Sequence, residues 1–187
     1  AWSILLAAGA DRDGRATSDG DPFVRAAAFR ALGTLAQQGQ GGADVFARLV
    51  TGLADGDDQI RAACVLAVGG FGTQEALDAV FTLQTDSSPR VVGAMARSLG
   101  NFPGEAWSGV VNPLVIDLLN SGEPEIIAGA VDALGMLGQT QLRQAVISMV
   151  GFPDPRVRAS AMRAAVQLVD PLAPREVISA VSGQLRD

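Results

Sequence analysis

Hydrophobic and polar positions recur along this chain in a pattern that is repeated five times. In each copy, a short turn rich in Asp, Ser, Gly or Pro precedes a stretch whose small and aliphatic side chains return at helical spacing. Short polar side chains can cap the first helical turn, and Pro suits its first position. The pattern therefore predicts five capped amphipathic helices. The copies are DPFVRAAAFRALG at 21–33, DDQIRAACVLAVG at 57–69, SPRVVGAMARSLG at 88–100, EPEIIAGAVDALG at 123–135 and DPRVRASAMRAAV at 154–166.

The spacing between the copies predicts a helical repeat. Successive copies are offset by 36, 31, 35 and 31 residues, and a period of about 20–50 residues is typical of arrays in which each unit packs on its neighbours. Other amphipathic stretches separate the copies, and each would form the first helix of a pair whose second helix is the next copy. Residues 1–8 have the same place before the first copy. We expect antiparallel helix pairs with eleven helices in all. The stretches that follow the copies are 44–53, 74–83, 108–119, 141–150 and 175–185.

The motif of the first copy, D-P-F-V-R followed by A-L-G, resembles the HEAT-like repeats of the phycobilisome-lyase type. Their second helix opens with D-P-x-V-R and continues A-x-x-A-L-G, and the resemblance covers about residues 19–169. The motifs of tetratricopeptide and ankyrin units, which have a similar period, do not occur. The resemblance implies an all-α fold, a right-handed α-solenoid of about five HEAT-like helix pairs plus a terminal helix. We expect a single array over 1–187, with repeats at about 1–38, 43–72, 74–103, 106–138 and 140–170 and the terminal helix at 173–185.

Two further columns of the repeat have structural interpretations. In HEAT-like arrays an Asp in the turn and the Arg after Val commonly link neighbouring repeats. This Arg stands at Arg25, Arg61 and Arg158 but is replaced by Val92 and Ile127 in the third and fourth copies. We therefore expect apolar packing or a local change of curvature at the centre of the array.

Four copies end in glycine, a residue that costs about 1 kcal/mol relative to alanine inside a helix. Either a close approach of another helix or an early helix end would explain it. The glycines are Gly33, Gly69, Gly100 and Gly135.

Composition narrows the possible functions. The formal charge of −6 argues against a surface for polyanions, and no apolar run is long enough to span a membrane. There is no histidine for general-base work or a His-containing zinc site. We expect no enzyme activity and no cofactor. Cys64 is the single cysteine, so the fold needs no oxidising compartment, and we expect a cytoplasmic protein whose Cys64 is buried and unreactive.

The resemblance also implies where a partner binds. In HEAT-like folds, the side of the second helix opposite the buried stripe lines the concave surface. Two columns of residues lie there when Val24 is taken as the centre of the stripe, and these second-helix columns vary between copies. We expect a protein or peptide partner, and no nucleic acid, to contact them. The first column is Phe23, Gln59, Arg90, Glu125 and Arg156, and the second is Arg30, Leu66, Arg97, Asp132 and Arg163.

Alternatives stay open for this surface and for the function. The alternating charges would allow ion pairs between adjacent repeats, which would leave a solvated, self-paired face. The leading hypothesis is a non-enzymatic interaction scaffold. The repeat type also implies an alternative, a bilin lyase subunit or related chromophore-handling protein.

Near the N-terminus, two features carry expectations of their own. The loop at 10–21 contains four aspartates, but Arg15 occupies the third ligand position of a calcium loop of the EF-hand type and no Glu closes it, so we expect no metal site. The first stretch, with Trp2, has little polar face. We therefore expect further repeats, a partner or self-association at that end.

Overall fold

In a computed structural model of the chain, residues 22–35 and 42–168 are described, together with positions 38, 178–179 and 182–183. Regular structure in this part of the chain is helical, and it contains no strand. The helix expected at 1–8, the loop at 10–21 and most of the helix expected at 173–185 lie outside the described residues. Between residues 22 and 168, the described part of the chain contains nine α-helices. They are α1 Pro22–Leu35, α2 Ala43–Gly52, α3 Asp58–Gly69, α4 Gln74–Phe81, α5 Pro89–Ser98, α6 Glu105–Leu119, α7 Pro124–Met136, α8 Arg143–Ser148 and α9 Pro155–Gln167.

The five repeated segments form α1, α3, α5, α7 and α9, as predicted. The expected caps are present at two of their starts. Asp57 accepts hydrogen bonds from the backbone N–H groups of Gln59 (2.8 Å) and Ile60 (3.4 Å). Asp154 accepts one from Arg156 (2.8 Å). These carboxylates satisfy N–H groups that have no partner within the helix, and so fix where each helix begins.

The stretch at 141–150 differs from the continuous helix that was predicted. It consists of a 3-10 turn at Thr140–Leu142, the short α8, and a second 3-10 turn at Met149–Gly151. Leu142, at the start of α8, provides no side-chain cap. The tighter turns use i to i+3 bonds to occupy backbone groups that a longer α-helix would have paired internally.

The chain divides into two compact units, Ala1–Ser98 and Leu99–Asp187, which we call unit 1 and unit 2. In unit 1, α3 packs against α1 and α5 and also contacts α2 and α4. In unit 2, α7 packs against α6 and α9. The single array over 1–187 stays a prediction. No helix among the described residues is long and apolar enough to cross a bilayer.

Cys64 lies in the core of unit 1, as expected. Its side chain is fully buried, and burial raises the pKa of the thiol well above its ordinary range. A Cβ added to Gly52 of α2 would collide with the Cys64 sulfur and come within 3.3 Å of the Phe29 ring. The thiol therefore serves as a small apolar group where α2 crosses α3.

Close approach of neighbouring helices explains the glycine column. A Cβ on Gly33 would lie 2.5 Å from the Ala67 Cβ, and one on Gly69 would lie 2.6 Å from the Ser98 Cβ. In unit 2, a Cβ on Gly135 would lie 2.8 Å from the Ala164 Cα. Of the two explanations left open by the sequence, close approach is thus the one that applies.

Candidate partner-binding face

Arg61 of α3 connects two successive repeats of unit 1 and so fixes their register. Its Nε and Nη2 donate to the two carboxylate oxygens of Asp86, at 2.8 and 2.9 Å. Its Nη1 donates to the carbonyl oxygens of Asp55 (2.9 Å) and Gly56 (3.3 Å) in the turn before its own helix. The hydrogen bonds from Arg61 lower the pKa of Asp86, and those to Asp86 raise the pKa of Arg61.

The residues at the position of Arg61 in the other copies make only some of its contacts. Arg25 Nη2 lies 3.9 Å from Asp55 Oδ1. In unit 2, Arg158 Nη1 donates to the carbonyl oxygens of Phe152 (3.0 Å) and Pro153 (2.8 Å), the same two turn positions that Arg61 uses. Val92 and Ile127, which replace the arginine, are both buried at 6% exposure. Apolar packing therefore takes the place of the arginine in those repeats.

The first of the second-helix columns is accessible in unit 1. The Phe23 side chain on α1 is 65% exposed. Arg90 on α5 is also exposed, and its Nη1 lies 3.8 Å from Asp58 Oδ1. Asp58 Oδ2 accepts a 2.7 Å hydrogen bond from the Ser88 hydroxyl. The long Arg90–Asp58 pair, with both side chains more than 40% exposed, contributes little to stability.

The second column encloses a trough in unit 1 between α1 and α3. Arg30 is exposed at its rim, and Leu66 is half-buried. The trough has a volume of about 210 Å³ and contains no acidic residue. No ion pair or hydrogen bond joins the Arg30 guanidinium to another described residue. The lining residues are Arg30, Gly33, Thr34, Ala63, Leu66 and Ala67.

In unit 2, ion pairs close the second column. Arg163 Nη2 lies 3.0 Å from both carboxylate oxygens of Asp132 and donates to the Ser160 hydroxyl at 2.8 Å. Arg163 Nε donates to Asp132 Oδ1 at 3.2 Å. Asp132 was expected to face a partner, but it is only 7% exposed because it lies beneath this guanidinium. The alternative of a self-paired face applies here.

The first column is also paired in unit 2. Arg156 Nη1 donates to Glu125 Oε2 at 3.2 Å, while its Nη2 donates to Asp154 Oδ2 at 3.0 Å. Hydrogen bonding from Arg156 lowers the pKa of Asp154. Arg97, the remaining member of the predicted set, is exposed at the end of α5 in unit 1.

The sequence contained signals for both arrangements. The residues of the Arg156–Glu125 and Arg163–Asp132 pairs of unit 2 are each separated by 31 positions, which equals the offset between the fourth and fifth copies. The trough had a weaker signal, the small residues Gly33, Ala63 and Ala67 beside Arg30. The repeat pattern explains Gly33 as a packing residue and does not indicate the depression above it.

Comparisons with known proteins agree with this geometry. A family model for HEAT repeats matches residues 46–108 and 111–185, and a HEAT repeat model matches residues 15–39. No curated protein matches the sequence. The predicted HEAT-like, all-α repeat fold is confirmed by the family match together with the helical repeats described above.

Three solved structures are similar to this chain. One is a chain in the complex of CpcE and CpcF of phycocyanin lyase from Nostoc sp. PCC7120, at 22% identity and a TM-score of 0.57. That match covers 83% of this chain and 63% of the lyase chain. An engineered protein matches at 20% identity and a TM-score of 0.47, covering 89% and 82% of the two chains. A designed armadillo repeat protein matches at 16% and 0.46, covering 90% and 87%.

Proposed function

Since this chain belongs to the HEAT repeat family, we propose that it is a non-enzymatic scaffold that binds a protein or peptide along the second-helix columns. Stacked repeats present long surfaces on which one residue position recurs from unit to unit, and such surfaces suit extended partners. The proposed contact residues are Phe23, Arg30, Leu66, Arg90, Arg97, Glu125, Asp132, Arg156 and Arg163.

The observation that carries the proposal is the trough beside Arg30 and Leu66 of the second column in unit 1. Arg30 forms no ion pair with a described residue, and it borders an apolar trough that ends at Leu66. Phe23 is 65% exposed on the same helix. Phenylalanine and arginine are both enriched at protein interfaces, and arginine is among the residues that most often contribute a large share of the binding energy.

The same proposal includes several negative expectations and a compartment. We expect no catalysis, because the chain has no histidine and the thiol of Cys64 is buried. A net charge of −6 makes nucleic acid an unfavourable partner. We expect no cofactor, and we propose a cytoplasmic location.

The test is affinity capture from an extract of the source organism with the full chain and two variants. Phe23→Ser combined with Arg30→Glu changes the open column. Ala47→Glu adds a charge to the exposed side of α2 and is the control. We expect a partner that the parent and the Ala47→Glu variant retain and the double variant loses. If Ala47→Glu abolishes capture while the double variant does not, the partner binds the helices that precede the copies, such as α2, and the proposal is wrong.

A second candidate, a bilin lyase subunit, is supported by the similarity to the phycocyanin lyase chain, of which this chain spans 63% of the length. The discriminating assay is the addition of a phycobilin to a phycobiliprotein in the presence of the purified chain. Visible absorbance of the purified protein is a simpler first measurement. Chromophore transfer that depends on the chain would favour the lyase candidate over the scaffold.

A further inference from the structure

We propose that the trough between α1 and α3 binds a partner segment in which an aliphatic side chain adjoins a carboxylate. The aliphatic side chain lies over Ala63, Leu66 and Ala67, and the carboxylate pairs with Arg30. This inference rests on the proposed function and deepens it by specifying the chemistry of the partner.

The trough exists because two helices meet without large side chains between them. Gly33 of α1 lies so close to Ala67 of α3 that a Cβ on the glycine would be 2.5 Å from the alanine Cβ. Arg30 stands about one helical turn before Gly33, Leu66 immediately precedes Ala67, and both line the trough. The volume of about 210 Å³ is below the roughly 300–1,000 Å³ of pockets for small-molecule ligands. It fits a single side chain instead.

The rim of the trough selects a negative charge. Arg30 supplies the only charge in the lining, and the Thr34 hydroxyl is already engaged, since it donates to the Arg30 carbonyl oxygen at 3.1 Å. A guanidinium presents a planar set of donors that matches a carboxylate with two parallel hydrogen bonds. In unit 2, Asp132 supplies that carboxylate to Arg163 from within the chain. In unit 1 the partner supplies it.

Phe23 defines the spacing of a second contact. It precedes Arg30 by seven residues on α1, so the two lie on one face of the helix about 10.5 Å apart along its axis, at 1.5 Å per residue. An extended peptide rises about 3.3 Å per residue. A segment that runs along α1 would therefore place an apolar residue over Phe23 about three residues from its carboxylate.

The test is a nuclear magnetic resonance titration of the full ¹⁵N-labelled chain with capped heptapeptides at millimolar concentration. The probe has adjacent Leu and Glu in a Gly-Ser background. Three control peptides replace Glu with Gln, Glu with Lys, or Leu with Ser. We expect the Leu-Glu peptide to shift the amides of Gly33, Ala63 and Ala67 and the side-chain Nε–H of Arg30. Replacing Glu with Gln should weaken binding about tenfold, because a charge-assisted pair is lost.

Charge exchange separates recognition from a structural effect. Arg30→Glu should abolish binding of the Leu-Glu peptide and create binding of the Leu-Lys peptide. Ala47→Glu combined with Gln84→Glu changes the net charge by the same amount at two exposed positions outside the trough and outside the proposed contact set, and it should leave the affinity for Leu-Glu within about twofold. Circular dichroism of both variants checks that the helices are retained.

Two results of the titration would overturn the inference. One is the absence of shifts at the trough with the Leu-Glu peptide, and the other is equal affinity of the parent and Arg30→Glu for it. Failure of the trough is distinguishable from failure of the scaffold function. If the captured partner is lost on Phe23→Ser alone and not on Arg30→Glu alone, the scaffold stands and the trough proposal falls. If no partner depends on any second-helix column, the scaffold function itself is wrong.

Discussion

Unit 1 and unit 2 differ in the second column, where successive repeats are joined by an ion pair in unit 2 and border a trough in unit 1. In the second column of unit 2, Asp132 and Arg163 of successive repeats form a multiply hydrogen-bonded ion pair. In unit 1 the corresponding neighbours are Arg30 and Leu66, which enclose an apolar trough with one cation at its rim. The residue that stands next to the arginine in this column, Asp132 or Leu66, thus decides whether an ion pair joins the two successive repeats.

Two packing features beneath these columns are found in both units. Gly69 and Gly135 each allow close approach of the next second helix. Arg61 and Arg158 each bind two carbonyl groups of the preceding turn. At these positions the two units share their packing, and the second columns differ in the side chains that they carry.

The largest expected effect tests whether the packing is truly shared. Gly69→Ala and Gly135→Ala should each lower the free energy of unfolding by about 3 kcal/mol, because the new methyl group meets atoms held close to the backbone. Gly109→Ala in α6 is the matched control, since nothing lies within 4 Å of its added Cβ. It should raise stability by about 0.5–1 kcal/mol. Urea unfolding measures all three, and a strong effect at only one of the two positions would contradict a common packing rule.

A smaller effect should distinguish the two second columns. Arg163→Ala removes three hydrogen bonds to the buried Asp132 carboxylate and should destabilise the chain by about 2 kcal/mol. Arg30→Ala should change stability by less than about 0.5 kcal/mol, as is usual for exposed positions without partners. Replacing Asp132 and Arg163 together with leucine should recover most of the loss. Equal losses for the two single alanine variants would mean that Arg30 is bound within the chain.

A smaller loss of stability is expected when the Arg61–Asp86 pair is removed. In the fourth copy, which belongs to unit 2, Ile127 stands at the position of Arg61 and no such pair can form. Because the hydrogen bonds from Arg61 lower the pKa of Asp86 in the folded state, the pair stabilises the fold above the ordinary carboxyl pKa of 3.8. That stabilisation is lost as the pH falls through the lowered folded value. Asp86→Asn should cost about 1 kcal/mol at neutral pH and flatten the acid side of the stability profile. An unchanged acid dependence in this variant would show that other carboxylates produce it.

Sequence reasoning predicted the features that depend on local rules. The caps at Asp57 and Asp154, the five second helices and the recurrent glycines all follow from residues within one copy or from one aligned position. The interrupted helix at 141–150 was missed because a short segment without caps relies on its surroundings, which the pattern does not contain.

The ion pairing of the second-helix columns was less predictable, since it depends on pairs of residues in successive repeats. Burial of Asp132 results from a guanidinium contributed 31 residues later. The trough depends on how closely Gly33 approaches Ala67, a distance that the residue types suggest but do not determine. The opposite charges at the repeat offset were the usable signal, and they predict the closed columns better than the open one.

The exchange of the arginine Nε–H protons with water tests most directly whether the second column is open in unit 1 and closed in unit 2. Arg163 Nε donates to Asp132 Oδ1 at 3.2 Å, whereas the Arg30 guanidinium has no such acceptor among the described residues. In the isolated chain, ¹⁵N-resolved exchange should be at least about tenfold slower at Arg163, as a protecting free energy of about 1.4 kcal/mol implies. Arg30→Lys and Arg163→Lys assign the two signals. Equal rates, or slower exchange at Arg30, would contradict the account.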